Sequence, residues 1–327
     1  MAETINISKM AEKLSKEMFG EFLWQRMEHT NINWPCEKQD KHNGKTHPSD
    51  VVFYYDEPYS QARTYINCDL KSYARGSITS TSIRTAIESL ARALSCAEVS
   101  DDFREKFIHD HVSPEICGLL FVYNHDGEYD KDFDTLIDQI KNEDLEIPPN
   151  SKIVVLGPSD IFWLNNVHHE IAYMRGSSGT IPARENCKYF YPNLVRRKNI
   201  QPENAKAATL EMLTAPWIIL KYTNPKKNSA QGFVIFYRKR GESVDEFLYL
   251  IDYLMHYQVL NGTTTVHIKT LDSHPSASAF FDKAKQQYAE EYQGGQEIKE
   301  ILDSIEFGQI NNVRTKFSEL ELSRDNG

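Results

Sequence analysis

Apolar residues recur at helical spacing through residues 8–28, at Met10, Leu14, Met18 and Phe22, with Gln25 continuing the stripe. This period predicts an opening amphipathic helix. A polar stretch at 30–48 follows and reads as a loop or a weak first strand. The pattern then switches. Residues 51–55 and 64–68 are rich in β-branched and aromatic side chains, and Asp-Glu-Pro-Tyr-Ser-Gln between them is turn material. Together they predict a hairpin. With a turn centred near Tyr59 and Ser60, directly opposed residues sum to about 119 in number. In the second strand Ile66, Cys68 and Leu70 share one face, and Asn67, Asp69 and Lys71 share the other, because strand side chains alternate.

The elements continue in α/β order. Ser80 or Ser82 can cap a helix reaching Cys96, with Ile83, Ala86, Ile87, Leu90 and Leu94 on its inner face. Residues 116–123 (ICGLLFVY) form the continuous apolar run expected of a buried parallel strand. An acidic helix over 130–141, a strand at 152–156 and a helix within 160–173 complete the first half. The 23 residues from Gly118 align without gaps with those from Gly232, with eight identities that include Gly127 with Gly241 and Phe133 with Phe247. The alignment predicts a shared strand-helix-strand unit. Residues 276–306 read as two further helices around Gly294-Gly295, and the last twenty residues as a polar tail.

Composition narrows the class. A hydrophobic fraction of 40% and an aromatic fraction of 11% over 327 residues suit a packed core. No stretch approaches the roughly 18 apolar residues of a membrane span, and the N-terminus lacks the apolar core of a signal peptide. The five cysteines are odd in number and lack C-x-x-C spacing. They read as reduced structural residues of a cytoplasmic protein, without a zinc site. The net charge of −10 argues against a constitutive nonspecific nucleic-acid binder. Charge is nonetheless uneven: 125–147 is strongly acidic, whereas 212–241 carries Lys221, Lys226, Lys227, Arg238, Lys239 and Arg240 and no acid.

The hairpin carries the candidate chemistry. The pairing sum sets Asp50 opposite Asp69, with Cα atoms roughly 4.5–5.5 Å apart. Two close carboxylates are costly unless a cation neutralises them. A hard divalent ion such as Mg²⁺, with Mn²⁺ as a substitute, takes oxygen ligands and keeps waters, one of which can attack a phosphate. Lys71 could position or activate that water, or neutralise charge on phosphorus. An ordinary surface hairpin with an Asp–Lys pair is the plainer alternative.

Asp50 followed by Asp69-Leu70-Lys71, with a helix before and a helix after, resembles the PD-(D/E)xK, or restriction-endonuclease-like, nuclease superfamily. Pro48 stands one residue further from Asp50 than the motif's name implies. The resemblance covers about residues 8–160. It implies an α/β fold with a mixed sheet flanked by helices, and Mg²⁺-dependent hydrolysis of nucleic acid with Asp50, Asp69 and Lys71 as site residues. It also implies a metal-assisting glutamate on the first helix, for which Glu21 is the candidate and Glu17 the alternate. DNA is the expected substrate ahead of RNA, and a catalytically silent binding or assembly module is the alternative. A restriction or effector role in bacterial antiviral defence rests on the same analogy.

The division expected is a nuclease core at 1–160, a connecting segment at 161–214 and an α/β C-terminal extension or second domain at 215–327. That last part is a candidate for sensing, partner binding or homo-oligomerisation. Residues 216–222 (PWIILKY) lack an acid, so no second nuclease site is expected there. His42 and His47 read as loop surface residues. His168-His169-Glu170 lacks metal-ligand spacing. Residues 189–198 (YFYPNLVRRK) could clamp nucleic acid or dock one part of the chain on another.

Overall fold

The computed structural model describes residues 2–109, 113–140, 145, 147–149, 151–192, 205–226, 228–291 and 295–314, with side chains from residue 11 onward. The chain divides into two compact units, one built on Met1–Asn165 and the other on Asn166–Ile200 and Lys206–Val313.

The first unit opens with α1 (Ala2–Glu21). The helix stops seven residues before the apolar stripe does. Leu23 takes a left-handed φ of 66°, and Trp24 N–H and Leu23 N–H bond back to the carbonyls of Phe19 and Gly20. This is a Schellman closure with a leucine where glycine is usual. Trp24 stacks on Phe19 with centroids 4.4 Å apart, a contact that offsets the strain. The polar stretch then forms β1 (Gln25–Pro35), an edge strand with mostly exposed side chains, and a single turn, α2 (Gln39–His42).

The hairpin follows as β2 (Thr46–Asp56) and β3 (Ala62–Tyr73). Its ladder runs from Val51↔Cys68 to Asp56↔Arg63, so opposed residues sum to about 119, as the turn arithmetic requires. Next come α3 (Ser80–Ala97), α4 (Asp101–Phe107), β4 (Ser113–Asn124), α5 (Phe133–Asp138) and β5 (Ile153–Leu156). Thr79 caps α3 in a reciprocal box with Ser82. The acidic helix is only six residues long, and Lys141 lies outside the described residues.

The sheet order is β1-β2-β3-β4-β5, antiparallel across the first three strands and parallel from β3 to β5. Neighbouring strand residues point to opposite faces. Phe53 meets Phe19 of α1, while Val52 packs among Ala93 and Leu94 of α3 and Phe103 of α4. The sheet therefore lies between two helical layers. β4 is buried along most of its length, as its apolar run required.

α6 (Pro158–Gly176) crosses the division between units. The second unit adds β6 (Cys187–Tyr189), α7 (Leu210–Thr214), β7 (Trp217–Asn224), β8 (Ala230–Tyr237), α8 (Val244–His256), β9 (Thr265–Thr270), α9 (Ala277–Glu291), α10 (Gly295–Asp303) and β10 (Glu306–Gln309). Its sheet order is β10-β9-β8-β7-β6. Here too three consecutive antiparallel strands are followed by two parallel additions, β9 on β8 and β10 on β9.

The aligned segments take matching local roles. Gly118 and Gly232 each begin the pairing of their strand with the next parallel strand, opposite Ile153 and Thr265. Gly127 and Gly241 both turn with left-handed φ, 66° and 69°, and Phe133 and Phe247 are both buried. By place in the sheet, however, β8 corresponds to β3 rather than to β4. The sequence match records a local strand-helix-strand device used at two sheet positions.

Candidate active site

β2 and β3 part just beyond Val51↔Cys68, and the site sits where they part. Asp50 is the next residue of β2. Its side chain reaches across, and Oδ2 accepts the Leu70 backbone N–H at 2.7 Å. Asp69 stands beside it, and the Lys71 ammonium lies 2.6 Å from Asp69 Oδ1. Asp50, Asp69 and Lys71 are thus brought together at the end of one hairpin. The parallel pairing of β3 with β4 fixes Asp69 opposite Leu120 and Lys71 opposite Val122, so the site is built on the centre of the sheet.

The electrostatics follow from this crowding. Burial raises the Asp50 carboxyl above the usual carboxylate range, and the neighbouring Asp69 charge adds to that; the Leu70 hydrogen bond and Lys71 pull the other way. For Lys71, burial opposes the charge, but Asp69 and Asp50 together outweigh it and raise the ammonium above its ordinary value. Burial also raises Tyr73, two residues on, whose phenol feels both Lys71 and Asp69. Sequence reading missed Tyr73. Its alternation with Asn67, Asp69 and Lys71 was the available signal. Beyond it, Ser72 hydrogen-bonds His125 at 3.4 Å, and His125 borders a cavity of about 380 Å³ lined also by Tyr129, Lys131 and Phe162.

Glu21 lies in the last turn of α1, buried, in the Schellman closure described above. Glu17, one turn earlier, is exposed and faces Lys13 at 3.8 Å.

Several other expectations change. His42 and His47 are buried rather than exposed. Burial, with His42 and Arg92 nearby, holds the His47 ring down at about 4, so it is neutral at neutral pH. The cysteines are all buried and free, but they are not scattered: Cys36 and Cys96 lie together with both histidines. Arg84 is paired with Glu88 at 2.9 Å. Tyr189 and Tyr191 are core residues of the second unit, with the Tyr191 hydroxyl donating to the Ala207 carbonyl, and are not available to stack on bases. Residues 193–198 of that segment, Lys227 and the C-terminal tail from 315 lie outside the described residues. Glu170 is buried and engaged by Lys269 at 3.3 Å and by Asn311.

The second hairpin provides a contrast. Its ladder ends at Trp217↔Tyr237, and the next pair is Pro216 and Arg238, joined by an Arg238 N–H to Pro216 carbonyl bond of 2.8 Å. Where the first hairpin sets two carboxylates, this one sets a pyrrolidine ring and a guanidinium.

Residues 1–160 match the family model of the GAPS4 protein PD-(D/E)XK nuclease domain. The N-terminal half of this chain belongs to the PD-(D/E)xK nuclease superfamily. Comparison with curated proteins and with solved structures returned no match. Asp50, Asp69 and Lys71, the motif residues expected from sequence, are the three side chains gathered where the β2–β3 pairing ends. No described helix is long and apolar enough to cross a membrane.

Proposed function

We propose that the chain is a Mg²⁺-dependent nuclease that hydrolyses phosphodiester bonds of DNA, with Asp50, Asp69 and Lys71 as its working residues. The observation that carries this reading is the triad itself: two carboxylates side by side with an ammonium against one of them. Asp50, raised by burial and by Asp69, is a carboxyl whose burial the Leu70 N–H and Lys71 only partly offset. A hard divalent cation fits that donor set, and Asp50 and Asp69 would hold it, with Glu21 as a further candidate ligand. When bound, the ion neutralises charge at the scissile phosphate and acidifies a water.

The protein's own groups do the rest. Asp50 is fixed by the Leu70 N–H, which donates to its Oδ2. Asp69 holds Lys71 by charge and hydrogen bond. That keeps Lys71 protonated, which favours a role in stabilising negative charge on the phosphate over a role as general base. A cytoplasmic effector or restriction nuclease of bacterial antiviral defence is the biological setting we infer, by analogy with the superfamily. We assign the second unit to partner binding or sensing, because its hairpin lacks the acidic pair.

Incubation of the protein with double-stranded DNA, single-stranded DNA and RNA, with Mg²⁺, Mn²⁺ or chelator, tests the reading. Cation-dependent DNA cleavage that is lost in Asp69→Ala supports it. Cleavage that survives Asp69→Ala combined with Lys71→Ala overturns it, and exclusive RNA cleavage overturns the substrate.

A further inference from the structure

A second group of potential ligands lies in the first unit, away from the carboxylates. Cys36 follows the last residue of β1, His42 ends α2, His47 is the second residue of β2, and Cys96 lies in the last turn of α3. All four side chains are buried, and their potential ligand atoms lie within 4.8 Å of one another. We propose that Cys36, His42, His47 and Cys96 form a structural zinc site that clips the β1–β2 connection to α3.

The distances carry the argument. Zinc–sulfur bonds of about 2.3 Å and zinc–nitrogen bonds of about 2.0–2.1 Å at tetrahedral angles require sulfur–sulfur separations of about 3.8 Å and sulfur–nitrogen separations of about 3.5 Å. Cys36 Sγ and Cys96 Sγ are 3.8 Å apart. His42 Nδ1 is 3.4 Å from Cys36 Sγ and 3.5 Å from Cys96 Sγ. Three ligands thus already stand at the corners of a zinc tetrahedron. The fourth corner falls to His47, whose buried Nε2 has no hydrogen-bond partner. An imidazole nitrogen left unsatisfied in a protein interior is costly, and a metal would satisfy it.

The surroundings fit as well. His42 Nε2 meets Ser95 Oγ at 3.4 Å, the kind of outer contact that orients a ligating histidine. The backbone amides of Glu37 and Lys38 hydrogen-bond the Cys96 sulfur. Lys38 also donates to the Ser95 carbonyl at 2.9 Å, so the same loop is already laid on α3.

Charge balances too. Two thiols lose their protons to solvent as the zinc–sulfur bonds form, and two thiolates with two neutral imidazoles around Zn²⁺ make a neutral centre that can be buried. A disulfide would need its sulfurs at about 2.05 Å. A nucleophilic Cys–His pair would need access to substrate, which burial denies. Four protein ligands close the coordination sphere, so the role is structural.

The test is metal analysis of the untagged full-length protein. We expect one zinc per chain, retained in Asp69→Asn, where the catalytic carboxylate is altered, and lost in Cys96→Ser and His47→Asn. Replacement by Co²⁺ should give the visible and near-ultraviolet bands of tetrahedral thiolate coordination. Chelation should lower the melting temperature by at least about 5 °C, and added zinc should restore it. A folded, metal-free protein whose melting ignores both chelator and zinc overturns the proposal, as does a Cys36–Cys96 disulfide. Because the wild-type protein is read directly, the outcome does not depend on the variants folding, and it is independent of whether the chain cleaves DNA.

Discussion

Lys71 places its ammonium 2.6 Å from Asp69 Oδ1 while Asp69 stands beside Asp50. The lysine is therefore held by one of the two groups proposed to bind the cation. Removing each should have separable effects. Lys71→Ala should lower cleavage by about 10²–10³-fold, the range for removing one group that stabilises transition-state charge, while Mn²⁺ binding persists in titration calorimetry. Asp69→Ala should lose both.

Asp50 is the residue whose function conflicts most with stability. Its folded carboxyl pKa lies above the ordinary value, so the fold favours the protonated form. The stability this represents is present at low pH and lost as pH rises through the folded value. At neutral pH, without divalent ions, Asp50→Asn should raise the melting temperature while abolishing cleavage. The asparagine carbonyl can still accept the Leu70 N–H. Thermal melts in cation-free buffer check this.

The two equivalent glycines should differ in sensitivity. Gly127 has φ of 66° and open space where a Cβ would stand, so Gly127→Ala should cost only the left-handed strain of about 1–2 kcal/mol. At Gly241 the added Cβ would also meet the Phe247 ring at 2.4 Å. Gly241→Ala should cost more than Gly127→Ala, by about 1–3 kcal/mol for the overpacking. Denaturant unfolding of both variants measures the difference.

His267 gives the second unit an acid sensitivity. Burial lowers its pKa despite Glu306 Oε2 at 3.0 Å. A histidine held neutral in the fold contributes stability that is full above its unfolded value of about 6.5 and is lost as pH falls below it. Urea melts at about pH 7.5 and about pH 5 should show the loss, and His267→Gln should reduce it.

The readable parts of the chain were those governed by local rules. The hairpin register followed from strand alternation and one turn, and the buried parallel strand β4 from its unbroken apolar run. The end of α1 was not readable, because Leu23 is held left-handed by a ring stack between Trp24 and Phe19. β1 was hidden by its place: an edge strand keeps most side chains in water and so reads as polar loop. The Cys/His cluster depended on Cys96, brought in by the helix after the hairpin. Three of its members within twelve residues, at 36, 42 and 47, were the part of the signal that sequence did contain.

Six ladder pairs separate Asp50 and Asp69 from the exposed turn residues Ser60 and Gln61 at the other end of the hairpin. The two ends answer to different constraints. Residues added at the turn lengthen a loop in solvent and leave every pair in step. One residue added between Asp50 and the turn would carry Asp50 to the opposite face of the sheet, because alternation has a period of two. Ser60–Gln61 is thus a place where an epitope or fluorophore can be grafted without touching the chemistry, and β2 from Asp50 to Asp56 is where the chain's length is least negotiable.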